Sequence, residues 1–189
     1  MKCWIRKILT HIRIPLLNNM DYFVHKTATI DNNVTIGVGT KIWHHAHIRE
    51  DVVVGRECVI GQNVYIDAGV IIGDYCRIQN NCSIYKISKI GNFVFIGPHV
   101  VFTNDKSPRA FNREGKPTTE KDWKVGTITV GDGVSIGAGA IILPDVTIGE
   151  YALIGAGAVI TKHVESFSLV YGNPAKVHGK VDKYGRRTP

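Results

Sequence analysis

Histidines and carboxamides are the side chains of this sequence best suited to chemistry. His99 follows Gly97 and Pro98, and Asn104, Asp105 and Arg109 come soon after it. Gln79, Asn80 and Asn81 form a carboxamide run, and Trp43, His44 and His47 crowd together earlier. A neutral imidazole can take a proton from an attacking nucleophile, so His99 is a candidate base; it also fits a corner residue with a satisfied hydrogen bond. A carboxamide is no base at neutral pH, but it can orient a reacting group. The planar fork of Arg109 suits a diphosphate or a sugar carboxylate, or an ordinary surface ion pair. Trp43 can stack on a nucleobase or on another part of the protein. A catalytic zinc would need three converging histidines. His44, His47 and His99 are available but lack a close partner pair, so no metal is expected.

These residues sit on a repeat. Every sixth residue from Val24 gives Val24, Ile30, Ile36, Ile42, Ile48, Val54, Ile60, Ile66, Ile72, Ile78, Ile84, Ile90, Ile96 and Phe102, with no polar member. The register lapses from Thr103 to Thr127 and resumes in a new phase at Val130, Ile136, Ile142, Ile148, Ile154 and Ile160. Four residues after each aliphatic comes a small or β-branched side chain, such as Ala28, Val64, Cys82 or Ala158. Two inward positions per hexad, two apart, describe a short strand with alternating faces. Three such strands per coil give a triangular prism. Gly37, Gly55, Gly73 and Gly91 then stack, and they are expected to supply the φ > 0 geometry of a tight corner. By the same spacing His45, Asn63, Asn81 and His99 fall in one column.

The bulk numbers set limits. The chain has 189 residues, 44% of them hydrophobic, and a formal net charge of +7. Lys2, Arg6, Lys7 and Arg13 contribute four of those charges before residue 20, with no acid among them. The remaining charge is modest and forms no basic stripe with interleaved aromatics, so nucleic acid is not an expected partner. It suits an anionic small molecule. No run reaches the length of a membrane span, so no stable membrane insertion is expected. Cys3, Cys58, Cys76 and Cys82 include no C-x-x-C pair, which fits a reducing cytoplasm. Cys58, Cys76 and Cys82 fall on the inward small position, where a thiol behaves as a small hydrophobe. The expected organisation is an N-terminal arm over 1–19, a β-helix over 20–165 with an excursion over 103–127, and a C-terminal cap over 166–189. Within the cap, Lys176 to Tyr184 reads as a short helix or coil. Residues 1–19 suit an arm packed on the prism end, a start upstream of Met20, or a basic amphipathic segment on a membrane surface.

The hexads resemble the hexapeptide-repeat acyltransferase family, whose coils wind as a left-handed parallel β-helix. Further stretches are similar to nucleotide-sugar 3-amino N-acetyltransferases of that family: Gly97-Pro98, Phe102 through Ala110, Gln79 through Tyr85, Ile42-Trp43-His44, Gly155 through Lys162, and Gly172 through Lys176. The resemblance covers about residues 20–184, and its most specific parts are the Asn104-to-Arg109 and Gln79-to-Asn81 stretches. It implies a homotrimer with active sites between subunits, acetyl-CoA as co-substrate, and a UDP- or dTDP-linked amino sugar as acceptor for surface polysaccharide synthesis. It further implies that Trp43, His44, Asn80, Asn81, Tyr85, Asp105 and Arg109 bind the acceptor. Backbone around Gly137, Ala138, Gly155 and Ala156 would hold the pantetheine arm of CoA, with Lys162, Asn173 and Lys176 toward the rest of CoA.

Many family members that acetylate hydroxyls carry a histidine base in or near the excursion. Between Pro108 and Trp123 this chain has none. A hydroxyl needs a base, which contributes roughly 10²–10⁴-fold. A sugar amine, by analogy with an α-amino group of pKa about 7.7–8.0, is already partly neutral near pH 7 and chiefly needs orientation. Asn104 matches the asparagine that the resemblance places in that role. An O-acetyltransferase using His99 as base, a γ-carbonic-anhydrase-like zinc enzyme and a non-catalytic trimeric assembly protein are the competing expectations.

Overall fold

The computed structural model describes residues 21–119 and 121–189. The expectations for residues 1–19 lie outside the described residues. Twenty two-residue strands run from Phe23–Val24 to Val159–Ile160, and in each the hexad aliphatic is the inward residue. From Ile42 to Ile160 those aliphatics are at most 4% exposed. The intervening small positions share the same core, including Ala46, Val64, Cys82, Val100 and Ala158. Each buried Ile or Val stabilises the stack by about 1.5–3 kcal/mol.

The strands form three parallel sheets. The first contains the strands beginning at Phe23, Lys41, Val59, Arg77, Phe95, Ser135 and Leu153. The second contains those beginning at Thr29, His47, Tyr65, Ser83, Val101, Ile141 and Val159. The third contains those beginning at Thr35, Val53, Ile71, Lys89, Thr129 and Thr147. The chain thus turns three corners per coil: sheet one to two, two to three, and three to one. Partners are 18 residues apart, as in Ile71↔Lys89, except across the excursion, where Lys89 pairs with Thr129. That separation is 129 − 89 = 40, so 40 − 18 = 22 residues are inserted without breaking the ladder.

The stacked glycines need a corrected explanation. The left-handed residues of the third corner stand two positions later, at Gly39, Glu57, Tyr75 and Phe93, with φ of 74°, 56°, 60° and 56°. The glycines are required by close approach of successive coils. A Cβ on Gly73 would lie 2.7 Å from the backbone carbonyl of Gly91. Gly73→Val is therefore expected to cost about 1–3 kcal/mol through overpacking. A thermal melt should show a fall of roughly 2–4 °C per kcal/mol.

The reading of Lys176 to Tyr184 as helix or coil is also corrected. Ser168–Gly172 adds to the first sheet beside Leu153–Ile154, and Ala175–Lys180 returns antiparallel along it. The Gly172-Asn173-Pro174 link supplies turn-forming residues, and the free edge of Ser168–Gly172 supplies the ladder that a strand can complete. Val170 and Val181, each 3% exposed, cover this end of the core. Cys58, Cys76 and Cys82 are free, buried thiols, and burial pushes Cys82 up to about 11. No helix among the described residues is long and apolar enough to cross a membrane.

Candidate functional site

The corner between sheets one and two changes character part-way up the prism. From the second coil on, its successive layers read Trp43-His44-His45, Gly61-Gln62-Asn63, Gln79-Asn80-Asn81, Gly97-Pro98-His99, Gly137-Ala138-Gly139 and Gly155-Ala156-Gly157. Four layers carry polar or aromatic side chains; the last two carry none beyond a methyl. Ala138, Gly139, Ala156 and Gly157 are exposed, and a Cβ on Gly139 or Gly157 would meet nothing within 4 Å. The result is a polar lower wall, a bare upper ledge, and His99 at the step between them.

Hydrogen bonds lock the polar part. Asn80 Oδ1 accepts the amide of Gln62 at 2.9 Å. Asn63 Nδ2 donates to Asn81 Oδ1 at 3.1 Å, and Asn81 Nδ2 meets His99 Nε2 at 3.4 Å. His45, Asn63, Asn81 and His99 all adopt left-handed φ, 55–61°, so their side chains leave the corner in one file. Beside it Trp43, His44, Gly61, Gln79 and Asn80 line a recess of about 280 Å³. Trp43 packs on Phe23 at 5.5 Å and His44 stacks on His25 at 3.6 Å. Desolvation first, and then the nearby His44, Lys26 and His45, hold His25 below the ordinary imidazole value.

What sets the ledge apart is the absence of side chains over its amides. Lower down, Asn80 Oδ1 caps the Gln62 amide, and the amides of His44 and Asn80, which have no acceptor among the described residues, stand among bulky neighbours. Ala156 offers no such oxygen to Ala138. Among the described residues the amides of Ala138 and Ala156 have no backbone or side-chain acceptor, while those of Gly137, Gly139 and Gly157 are bonded to Ile154, Pro98 and Ala138. The C-terminal hairpin reaches this corner too: a Cβ on Gly155 would stand 2.6 Å from Tyr171 Cβ. Asn173 and Lys176 lie at that hairpin's turn and on its return strand.

The excursion leaves from the opposite corner, between sheets two and three. Its neck is tied by Thr103, whose amide and Oγ1 both donate to the Ile142 carbonyl at 2.9 Å, and by the Gly126 amide on the Asn104 carbonyl at 2.8 Å. Lys106 Nζ meets Asp145 Oδ2 at 2.7 Å, and Asp145 Oδ1 accepts the Thr127 amide at 3.0 Å. Asp105 accepts the Ser107 amide and turns the chain. Asn104, Asp105, Arg109, Phe111, Arg113, Lys121 and Trp123 line a concavity of about 660 Å³. Composition alone marks Phe111, Arg113 and Trp123 as loop content; that they face Arg109 across one hollow follows only from the loop's path, and Lys121 carries no sequence signal.

Below this loop Tyr85 meets Tyr65 edge-on at 5.8 Å. Arg49 is engaged by Asp31, Glu50 and the Tyr65 hydroxyl, and its pKa is raised by the hydrogen bonds to Glu50 first and then Tyr65. Burial raises Tyr65. His47 turns to Asp31 at 3.1 Å, so His44, His47 and His99 do not converge.

Within one chain, then, Trp43, His44, Asn80, Asn81 and His99 share a corner with Gly137, Ala138, Gly155 and Ala156. Asn104, Asp105, Arg109, Tyr85 and Lys162 lie on the other side of the second sheet. Asn104 and His99 are separated by the strand Val101–Phe102, a span of up to roughly 16 Å.

Lys106, ahead of the Thr127 amide, holds the Asp145 carboxyl below the ordinary carboxylate range. A carboxyl lowered in the folded state stabilises above its unfolded pKa, about 3.9, and loses that contribution as pH falls. Acidification below about pH 4 is thus expected to loosen the loop neck before the prism, seen as faster hydrogen exchange at Thr127 than at Val101.

The sequence profile described as "Bacterial transferase hexapeptide (six repeats)" matches residues 33–68, 51–86 and 127–162. The left-handed winding expected from the sequence goes with that repeat. No curated protein matches the chain. Among solved structures, a mutant of perosamine N-acetyltransferase from Caulobacter crescentus, in complex with CoA and GDP-perosamine, superposes with TM-score 0.52 at 21% identity over 84% of this chain. The match covers 57% of that protein's length. An N-acyltransferase from Bacillus cereus, in complex with dTDP and 3-hydroxybutyryl-CoA, gives TM-score 0.60 at 19% identity, over 87% of this chain and 82% of the other. A hexapeptide-repeat acetyltransferase from Vibrio cholerae gives 0.55 at 23% identity, over 74% of each chain. At these identities the likeness is one of fold.

Proposed function

We propose that this chain, which carries hexapeptide repeats of the bacterial transferase type, moves an acetyl group from acetyl-CoA to the amino group, at the 3-position, of a nucleotide-linked sugar. The observation that carries the reading is the step at His99, where a hydrogen-bonded polar wall gives way to a bare ledge with two unclaimed amides. A long, flexible thiol carrier needs such a ledge: small side chains for close approach, and amide donors for its own carbonyls. Ala138 and Ala156 supply the donors, and Lys176 on the hairpin supplies positive charge for phosphate. Asn80, Asn81, Trp43 and His44 face the acceptor from the polar wall.

The excursion completes the site from a second subunit. Its hollow gathers Arg109, Arg113 and Lys121 with Trp123 and Phe111; Asp105, Glu114 and Asp122 line it too but are engaged by the Ser107 amide, Lys116 and Thr119, which leaves the arginine forks and aromatic rings as the groups suited to a nucleoside diphosphate. A trimer in which the loop corner of one chain abuts the ledge corner of the next brings Asn104 and Lys162 to His99 and Ala138. In that site Asn104 orients the amine. The amine nitrogen attacks the thioester carbonyl carbon, the C–N bond forms, and the C–S bond breaks. The departing thiolate takes the proton that the nitrogen sheds, directly or through water, leaving N-acetyl sugar and CoA thiol. No strong base is required.

The test is thiol release from acetyl-CoA with a panel of nucleotide sugars bearing 3-amino, 4-amino or hydroxyl acceptors. Turnover is expected with the 3-amino sugar, rising from pH 6 through a half-maximum near pH 8 and levelling at about pH 9 as the amine becomes neutral. Turnover with hydroxyl acceptors alone would replace the reading with O-acetyl transfer.

A further inference from the structure

The file Asn63, Asn81, His99 has a direction, and the direction fixes a proton. Asn63 gives an N–H to Asn81 Oδ1 at 3.1 Å. With its oxygen engaged, Asn81 turns its NH₂ to His99 Nε2 at 3.4 Å. A nitrogen that accepts a hydrogen bond carries no proton, so neutral His99 must carry its proton on Nδ1. Among the described residues Nδ1 has no hydrogen-bond partner. His99 is exposed, and the next position of its column, Gly139, leaves open space.

The geometry points to His99 as a neutral hydrogen-bond donor, through Nδ1–H, to the oxygen of the reacting thioester carbonyl, with Asn63 as the positioning residue that sets its tautomer through Asn81. This rests on the acetyl-transfer reading and assigns His99 the opposite role to a base. When the amine adds, charge gathers on the carbonyl oxygen, and a fixed donor there lowers the barrier. The proton on Nδ1 stays on His99 throughout; the proton lost by the amine goes to the thiolate.

Asn63→Asp tests the relay. A carboxylate only accepts, so Asn81 must give it the NH₂ and present Oδ1 to His99, whose proton then moves to Nε2. Nitrogen chemical shifts of the His99 ring, read above pH 8 on labelled full-length protein without substrate, should report Nδ1–H in the wild type and Nε2–H in the variant. With the 3-amino acceptor, Asn63→Asp should lower kcat about 10²-fold, while KM for acetyl-CoA changes less than about twofold. His99→Gln, which keeps an N–H donor, should recover at least about tenfold over His99→Ala. An Nε2–H tautomer in the wild type overturns the proposal whatever the enzyme's acceptor proves to be. So does a His99→Gln variant as slow as His99→Ala when both have lost the acid limb of the wild-type pH profile, the signature of a base.

Discussion

Asn104→Ala chains refolded together with an equal amount of His99→Ala chains should recover about a quarter of the wild-type rate, although each variant alone is slowed about 10²-fold. In a randomly mixed trimer, a site that takes His99 from one chain and Asn104 from the next is intact only when a His99-bearing chain precedes an Asn104-bearing one. The chance is one half times one half. The expectation comes from the two corners of the second sheet: Val101–Phe102 separates the residues, and no described hydrogen bond joins His99 to the loop. Were both residues to serve a site inside one chain, no mixture could restore it. Separate assembly of the variants, mixed without refolding, is the control. An activity near zero in the refolded mixture, with trimers confirmed by sedimentation, would show that Asn104 and His99 do not meet across subunits.

Ala156→Leu should weaken CoA binding by about 100-fold, or roughly 2.7 kcal/mol, with little change in melting temperature. Ala156 is exposed, so extra methylenes there displace no core neighbour. They stand where a carrier arm would lie against the corner, and they shield the amide of Ala138. Calorimetric titration with CoA checks the affinity and a thermal melt checks the fold. Ala156→Leu with wild-type affinity would remove the ledge from the binding site.

Sequence periodicity was enough to orient the core. Ile36, Ile60 and Ile148 announce their direction by spacing, because a two-residue strand with one buried side repeats every six positions and tolerates no polar intruder. The glycine column was legible but for the wrong reason. Spacing shows that Gly55 and Gly73 stack; it does not show that the coils approach too closely for a Cβ, nor that Glu57 and Tyr75 take the left-handed turn. The candidate site was legible as residue types and not as an arrangement. Asn104 and His99 are close in sequence and far apart in the fold, since a strand runs straight between corners. Lys162 follows Gly155-Ala156-Gly157 closely, yet the strand Val159–Ile160 carries it to the other corner. The hairpin of Ser168–Gly172 and Ala175–Lys180 has no hexad to announce it, and a free sheet edge is visible only once the stack exists.

The 22 inserted residues enter and leave between two rungs that pair as though nothing separated them. Changes in the insertion's length or composition therefore need not disturb the rungs, and changes in the rungs need not disturb the insertion. Descendants of one such scaffold can therefore remodel this appendage, and whatever it touches, without repacking the tower that carries it.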